Sequence, residues 1–173
     1  KPWGYEYLAF ENKFVAIWVL HLVRQRKTSM HCHPKKKTGL ILLSGEAKCH
    51  HLGGQIELNK LDAVVIDRGA FHSTEAHNEL PIAPVSENGI WLMEIESPPK
   101  KDDLIRLRDE YGRAGVSYEG KEDMVFDPQK CLKLNAPAFC ESLKEEFFDC
   151  SFIMQKGAFQ KDEYPSPTAL VSV

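Results

Sequence analysis

Between Phe14 and Glu96 the apolar positions fall into short runs separated by turn residues, and no stretch keeps a helical period. Val15 to Val23 is β-branched and apolar, and Leu40 to Leu43 is a short run of the buried type. Glu46 to Leu52 and Gln55 to Leu58 flank Gly53-Gly54, the form of a hairpin whose two-glycine turn pins the register. Leu61 to Ile66 supplies another strand, ended by the turn Asp67-Arg68-Gly69. In Ile90 to Ile95 the alternation of a strand puts Trp91, Met93 and Ile95 on one face and Leu92, Glu94 and Glu96 on the other. Short strands with glycine turns and no amphipathic crossover helix predict an all-β sandwich or barrel.

Beyond Pro98-Pro99 the pattern changes. Asp102 or Asp103 is placed to cap a helix through Leu104, Ile105, Leu107 and Arg108 to Tyr111, with Gly112 as its stop. Asn135 and Pro137 open a second short helix carrying Phe139, Leu143 and Phe147 at four-residue spacing. Phe152 to Val173 reads as extended chain with turns. The expected organisation is a β-barrel with a closing helix over 1–113 and a C-terminal extension over 114–173, where a truncated second β-unit has room to begin.

With 173 residues, 43% of them hydrophobic, the chain suffices for one core and not for two linked domains. A formal charge of -3 with 27% charged residues describes a mixed surface, which argues against nucleic acid as a partner. The longest apolar stretch, Phe14 to Val23, contains His21 and is about half the length of a membrane span, so no membrane partner is expected. Five cysteines without CxxC spacing fit reduced thiols and a cytoplasmic setting. No leader precedes Lys1, and a start without Met with an abrupt end at Val173 suggests a trimmed or partial chain. Trp3, Tyr5, Tyr7 and Phe10, beside the apolar first strand, exceed what one small barrel is expected to bury, which predicts a homodimer.

The candidate chemistry lies in histidine. In an extended segment residues i and i+2 project to one side, so the imidazoles of His31 and His33 converge, and Cys32 between them points away into packing. His72 follows about 40 residues later, a separation that a barrel closes between neighbouring strands. An isolated HxH is as readily a pair of surface histidines; three imidazoles together suit Zn, Fe, Ni, Co or Mn, with no choice among them. His21 reads as a hydrogen-bonded core histidine, and His50, His51 and His77 receive no chemical role.

His31-x-His33 followed by Thr38 and Gly45, and Asp67-x-Gly69-x-x-His72, resemble the two motifs that define the cupin superfamily. The resemblance implies a double-stranded β-barrel (cupin, or jelly roll) with a divalent metal on His31, His33 and His72. Thr38 stands where the motif has its glutamate, so the implied site has three histidines and is completed by water or substrate. Lys1 to Glu6, Met30-His31-x-His33, Leu43 to Ala47, Arg68 to His72, and the tail from Met93 through Asp109-Glu110-Tyr111-Gly112-Arg113 resemble the cupin domain of type II mannose-6-phosphate isomerases. That resemblance covers about residues 1 to 113 and implies a sugar phosphate or nucleotide sugar as the small-molecule partner. Aldose-ketose isomerisation needs an electrophile for the enediolate oxygen and a base. Glu94 or Glu96 is the candidate base, with Glu94 preferred, and a pair of rim carboxylates is the alternative. Lys35, Lys36, Lys37 and Arg113 are candidates for the phosphate, against the plainer reading of the lysine run as a solvated loop. Two further readings stand beside the isomerase: a three-histidine iron dioxygenase, and a non-catalytic sugar-binding or regulatory cupin.

Overall fold

The computed structural model describes residues 1–77, 89–113, 134–135, 137–147 and 150–158. Ten strands form two five-stranded sheets. The first has the order β1 (Gly4–Glu11), β2 (Ala16–Val23), β9 (Gly89–Ser97), β4 (Lys37–Ser44), β7 (Ala63–Ile66). The second has the order β10 (Ile105–Arg108), β3 (Met30–Cys32), β8 (His72–His77), β5 (Glu46–His51), β6 (Gly54–Leu58). All the pairings are antiparallel. The fold is a double-stranded β-barrel, and no helix long and apolar enough to cross a membrane occurs among the described residues.

Strand alternation sorts the apolar residues into two layers. Trp18, Leu20 and Leu22 of β2, Leu40 and Leu42 of β4, and Ile90 and Leu92 of β9 meet Ala47, Cys49, Leu58 and Ala76 of the opposing sheet in the interior. Their neighbours of opposite parity, Ile17, Ile41, Leu43, Met93 and Ile95, form a second cluster on the outer face of the first sheet. This face is covered by Leu134, Phe152 and Met154. Between β4 and β5 the chain reverses at Gly45, whose φ of 81° is a left-handed conformation that a side chain disfavours. A Cβ there would also lie 2.8 Å from Ile90 Cγ2.

Both expected C-terminal helices are corrected. Ile105–Arg108 is an edge strand, with Arg106 opposite His31 and Ile105 opposite Cys32. The unpaired edge of β3 offers hydrogen bonds that a short helix would leave unused, and this tertiary pairing overrides the local pattern. Asp103 caps no helix; its carboxylate accepts the backbone N–H groups of Lys35 and Lys36 at 2.7 and 3.0 Å. Downstream, Ser142–Phe147 is β11, paired in a hairpin with β12 (Cys150–Gln155), with Leu143 opposite Met154. The four-residue spacing of Phe139 and Leu143 marked a strand and its approach. The expected extended chain over 152–173 is a strand as far as Gln155; residues 159–173 lie outside the described part.

Candidate metal centre

His31 lies in β3, His33 follows its end, and His72 opens β8 directly opposite His31. One ligand atom from each of the three lies within 4.8 Å of the others. Each Nδ1 meets a backbone carbonyl: His31 that of Ser29 at 2.6 Å, His33 that of Asp103 at 2.5 Å, His72 that of Ala70 at 3.0 Å. A carbonyl only accepts, so Nδ1 carries the proton in each ring and the lone pair falls on Nε2. Nε2 of His33 is buried with no hydrogen-bond partner. Burial drives the pKa of His31 well below the ordinary histidine value, and the neighbouring His72 and His33 add to it. Burial likewise pushes His33 down to about 3 and lowers His72. Neutral imidazoles with oriented, unshared Nε2 lone pairs are the ligating form, so this donor set fits a divalent ion.

A chain of buried charges adjoins the three rings. Lys36 is 1% exposed and forms an ion pair with Glu96, itself fully buried. Trp18 Nε1 donates to the other oxygen of Glu96 at 3.2 Å. Lys101 reaches Glu96 at 3.4 Å and Glu6 at 3.5 Å, and lies 4.0 Å above the Trp18 ring. Burial opposes its charge, but Glu94, Glu6 and Glu96 outweigh that effect and raise the Lys101 pKa above its usual value. Glu94 is buried at the wall of the same cleft, with Leu92 and Glu96 on the inward face of β9.

The cleft brings together His31, His33, Glu94, Glu96 and Arg113, and His72 adjoins it through the histidine cluster. Arg113 is held by Asp109 at 2.8 Å. Lys35 and Lys37 are exposed and do not line the cleft; Lys37 pairs on the surface with Asp67 at 2.8 Å. Lys36 takes the inward position instead. Thr38 also faces inward, 1% exposed, and its hydroxyl has no hydrogen-bond partner. Sequence reasoning left out Lys101, Glu6 and the clamp by Asp103, and gave Lys36 no preference over its neighbours. Counting back in steps of two from the interior Leu42 and Leu40 reaches Thr38 and then Lys36, a signal present in the sequence. Nothing local marks Lys101.

The remaining histidines and thiols lie elsewhere. His21 is on the outer face of β2, stacked against Tyr5 and Trp91 at centroid distances of 5.1 and 4.8 Å. Its Nδ1 has no hydrogen-bond partner, which corrects the expected hydrogen-bonded core histidine. Cys32 and Cys49 are buried free thiols whose pKa values burial raises.

No protein-family model matches the chain, and no curated protein matches it significantly. Solved structures do. KdgF from Halomonas sp. superposes with a TM-score of 0.51 at 16% identity, over 59% of this chain and 84% of that one. The DMSP lyase DddQ from Ruegeria pomeroyi gives 0.50 at 16% identity, over 60% of this chain and 52% of that one. An RmlC-like cupin from Desulfovibrio desulfuricans gives 0.47 at 15% identity, over 56% and 84%. At these identities the likeness is one of fold, and it agrees with the double-stranded β-barrel seen here.

Proposed function

We propose that this chain is a metal-dependent cupin acting on a sugar phosphate or nucleotide-linked sugar as an aldose-ketose isomerase of the mannose-6-phosphate isomerase type. The observation that supports it is the convergence of His31, His33 and His72, with each Nδ1 anchored on a carbonyl, beside two inward carboxylates of β9. A divalent ion held there would supply Lewis-acid stabilisation of an enediolate oxygen. Glu94 is the base, taking the proton from one carbon of the sugar and returning it to the next. Glu96 is engaged by Lys36, Lys101 and Trp18 and holds the cleft in shape. Arg113, on the cleft wall, is the cation for a sugar phosphate, whereas Lys35 and Lys37 are exposed and lie outside the cleft lining. The free thiols suit a reducing, cytoplasmic setting.

Metal analysis of protein purified without chelator tests the reading. About one equivalent of Zn, Fe, Ni, Co or Mn is expected, with loss on His72→Ala, and isomerase activity appears on reloading and disappears in Glu94→Gln. Parent protein with no affinity for any of these ions overturns it. Three histidines without a carboxylate ligand also suit iron and oxygen chemistry, and oxygen uptake by the iron form in place of isomerisation would favour the dioxygenase reading. Sugar binding without turnover of either kind would favour a regulatory module.

A further inference from the structure

The cleft beside the histidines is lined by more cationic than anionic side chains. Lys1, Lys36, Lys101, Arg106 and Arg113 line it against Glu6, Glu94 and Glu96, while Asp109 offsets Arg113. Three neutral imidazoles bring no negative charge, so a divalent ion would add its full charge to this balance.

Lys36 is the member whose placement needs explaining. It is almost wholly buried, on the inward side of the chain leading into β4, and burying an ammonium is costly. It is also held there: Asp103 accepts the Lys36 backbone N–H with its carboxylate and the His33 Nδ1–H with its carbonyl. One residue therefore fixes the backbone of Lys36 and the ring of a histidine relative to each other. Lys36 has Glu96 as counter-ion, but Glu96 is shared with Lys101 and Trp18. Where the resembling motif brings a carboxylate to its metal, this chain presents a hydroxyl at Thr38 and an ammonium at Lys36.

We infer that Lys36 is a specificity-determining residue, which makes the histidine centre accept the anionic oxygen of a carboxylate- or phosphate-bearing small molecule in preference to neutral hydroxyl groups. The inference rests on the metal-dependent part of the reading above, and it assigns the anionic oxygen to the histidine side of the cleft rather than to Arg113 alone. With an ion held by the three imidazoles, an entering anion would supply the negative charge that they lack, and Lys36 would serve as its second counter-charge in a cleft where charge-assisted contacts are weakly screened.

The test uses the full chain loaded with Co(II), titrated separately with inorganic phosphate, acetate and glycerol. Visible absorption of the ion and thermal melting are the two readouts. Saturable changes are expected with phosphate or acetate and none with glycerol, and whichever anion acts identifies phosphoryl or carboxylate chemistry. Lys36→Gln is expected to weaken the anion roughly tenfold or more, Lys36→Arg much less, and cobalt affinity is expected to hold within about threefold in both. If Lys36→Gln does not fold, Lys36→Gln with Glu96→Gln removes both charges together and takes its place. Anion binding of parental strength in that variant, or glycerol binding as well as the anions, overturns the inference. A chain that takes up no cobalt, yet gains melting temperature with phosphate only when Lys36 is present, overturns the metal reading and leaves the role of Lys36 intact.

Discussion

At the scale of single residues, His31, His33 and His72 share one buried cluster in which each Nδ1 is anchored on a backbone carbonyl. Burial of all three rings then has a consequence for pH. The unfolded chain takes up protons near the ordinary histidine pKa of 6.5, whereas the folded chain holds His33 neutral down to about 3. Stability contributed by these rings is therefore complete above about pH 6.5 and falls as the pH drops toward 3. For metal-free protein, His33 alone accounts for roughly 2 kcal/mol between pH 7.5 and 5, read from urea unfolding; a midpoint that does not move in that interval contradicts the assignment. Thr38 makes a second case, since its buried hydroxyl has no partner. Replacing it by the near-isosteric valine removes an unsatisfied group, so Thr38→Val is expected to gain about 1 kcal/mol in the same assay. A loss instead would show that the hydroxyl holds a water or ligand in solution. The histidine site was legible in the sequence because i, i+2 geometry in an extended segment fixes where His31 and His33 point. Lys36 was harder to single out because three lysines in a row look alike until the parity of β4 is carried back through the turn.

At the scale of elements, β2, β4, β5, β6, β7 and β9 were legible as apolar or alternating runs bounded by turn residues, and β1, β3, β8 and β10 were not. Each of the last four carries polar residues at the cleft or in the histidine cluster beside it, Glu6, His31 and Arg106 in the one and His72 in the other, so a functional surface interrupts the hydrophobic pattern. The segment around Asp103 was read as a helix start because the same carboxylate that suits an N-cap also suits any pair of free N–H groups. In the structure those belong to Lys35 and Lys36. Asp103→Ala leaves both unsatisfied and is expected to lower stability by roughly 2 to 3 kcal/mol, and to weaken metal binding through the freed turn. Denaturant unfolding and a cobalt titration measure the two effects, and an unchanged pair of values would remove Asp103 from its place in the site.

At the scale of the whole molecule, Trp3 and Tyr7, two of the aromatic residues that suggested a partner subunit, are buried within this one chain, and Phe10 packs against the outer cluster. The outer face of the first sheet is apolar and is covered by Leu134 and by Phe152 and Met154 of β12. A chain ending at Arg113 loses that cover from Ile17, Ile41, Leu43, Met93 and Ile95 and is expected to self-associate. Light scattering at micromolar concentration compares it with the full chain, for which the homodimer remains our proposal, supported by the exposed Val65 on edge strand β7. A monodisperse short chain of the same state as the full one would mean that the cover is dispensable. The clamp on His33 carries one more consequence, in the order of synthesis. His31, His33 and His72 all leave the ribosome before Asp103, whose carbonyl fixes the His33 ring. A nascent chain thus holds all three imidazoles before the His33 ring is oriented, and the donor set is complete only when the segment carrying Asp103 and β10 docks against β3.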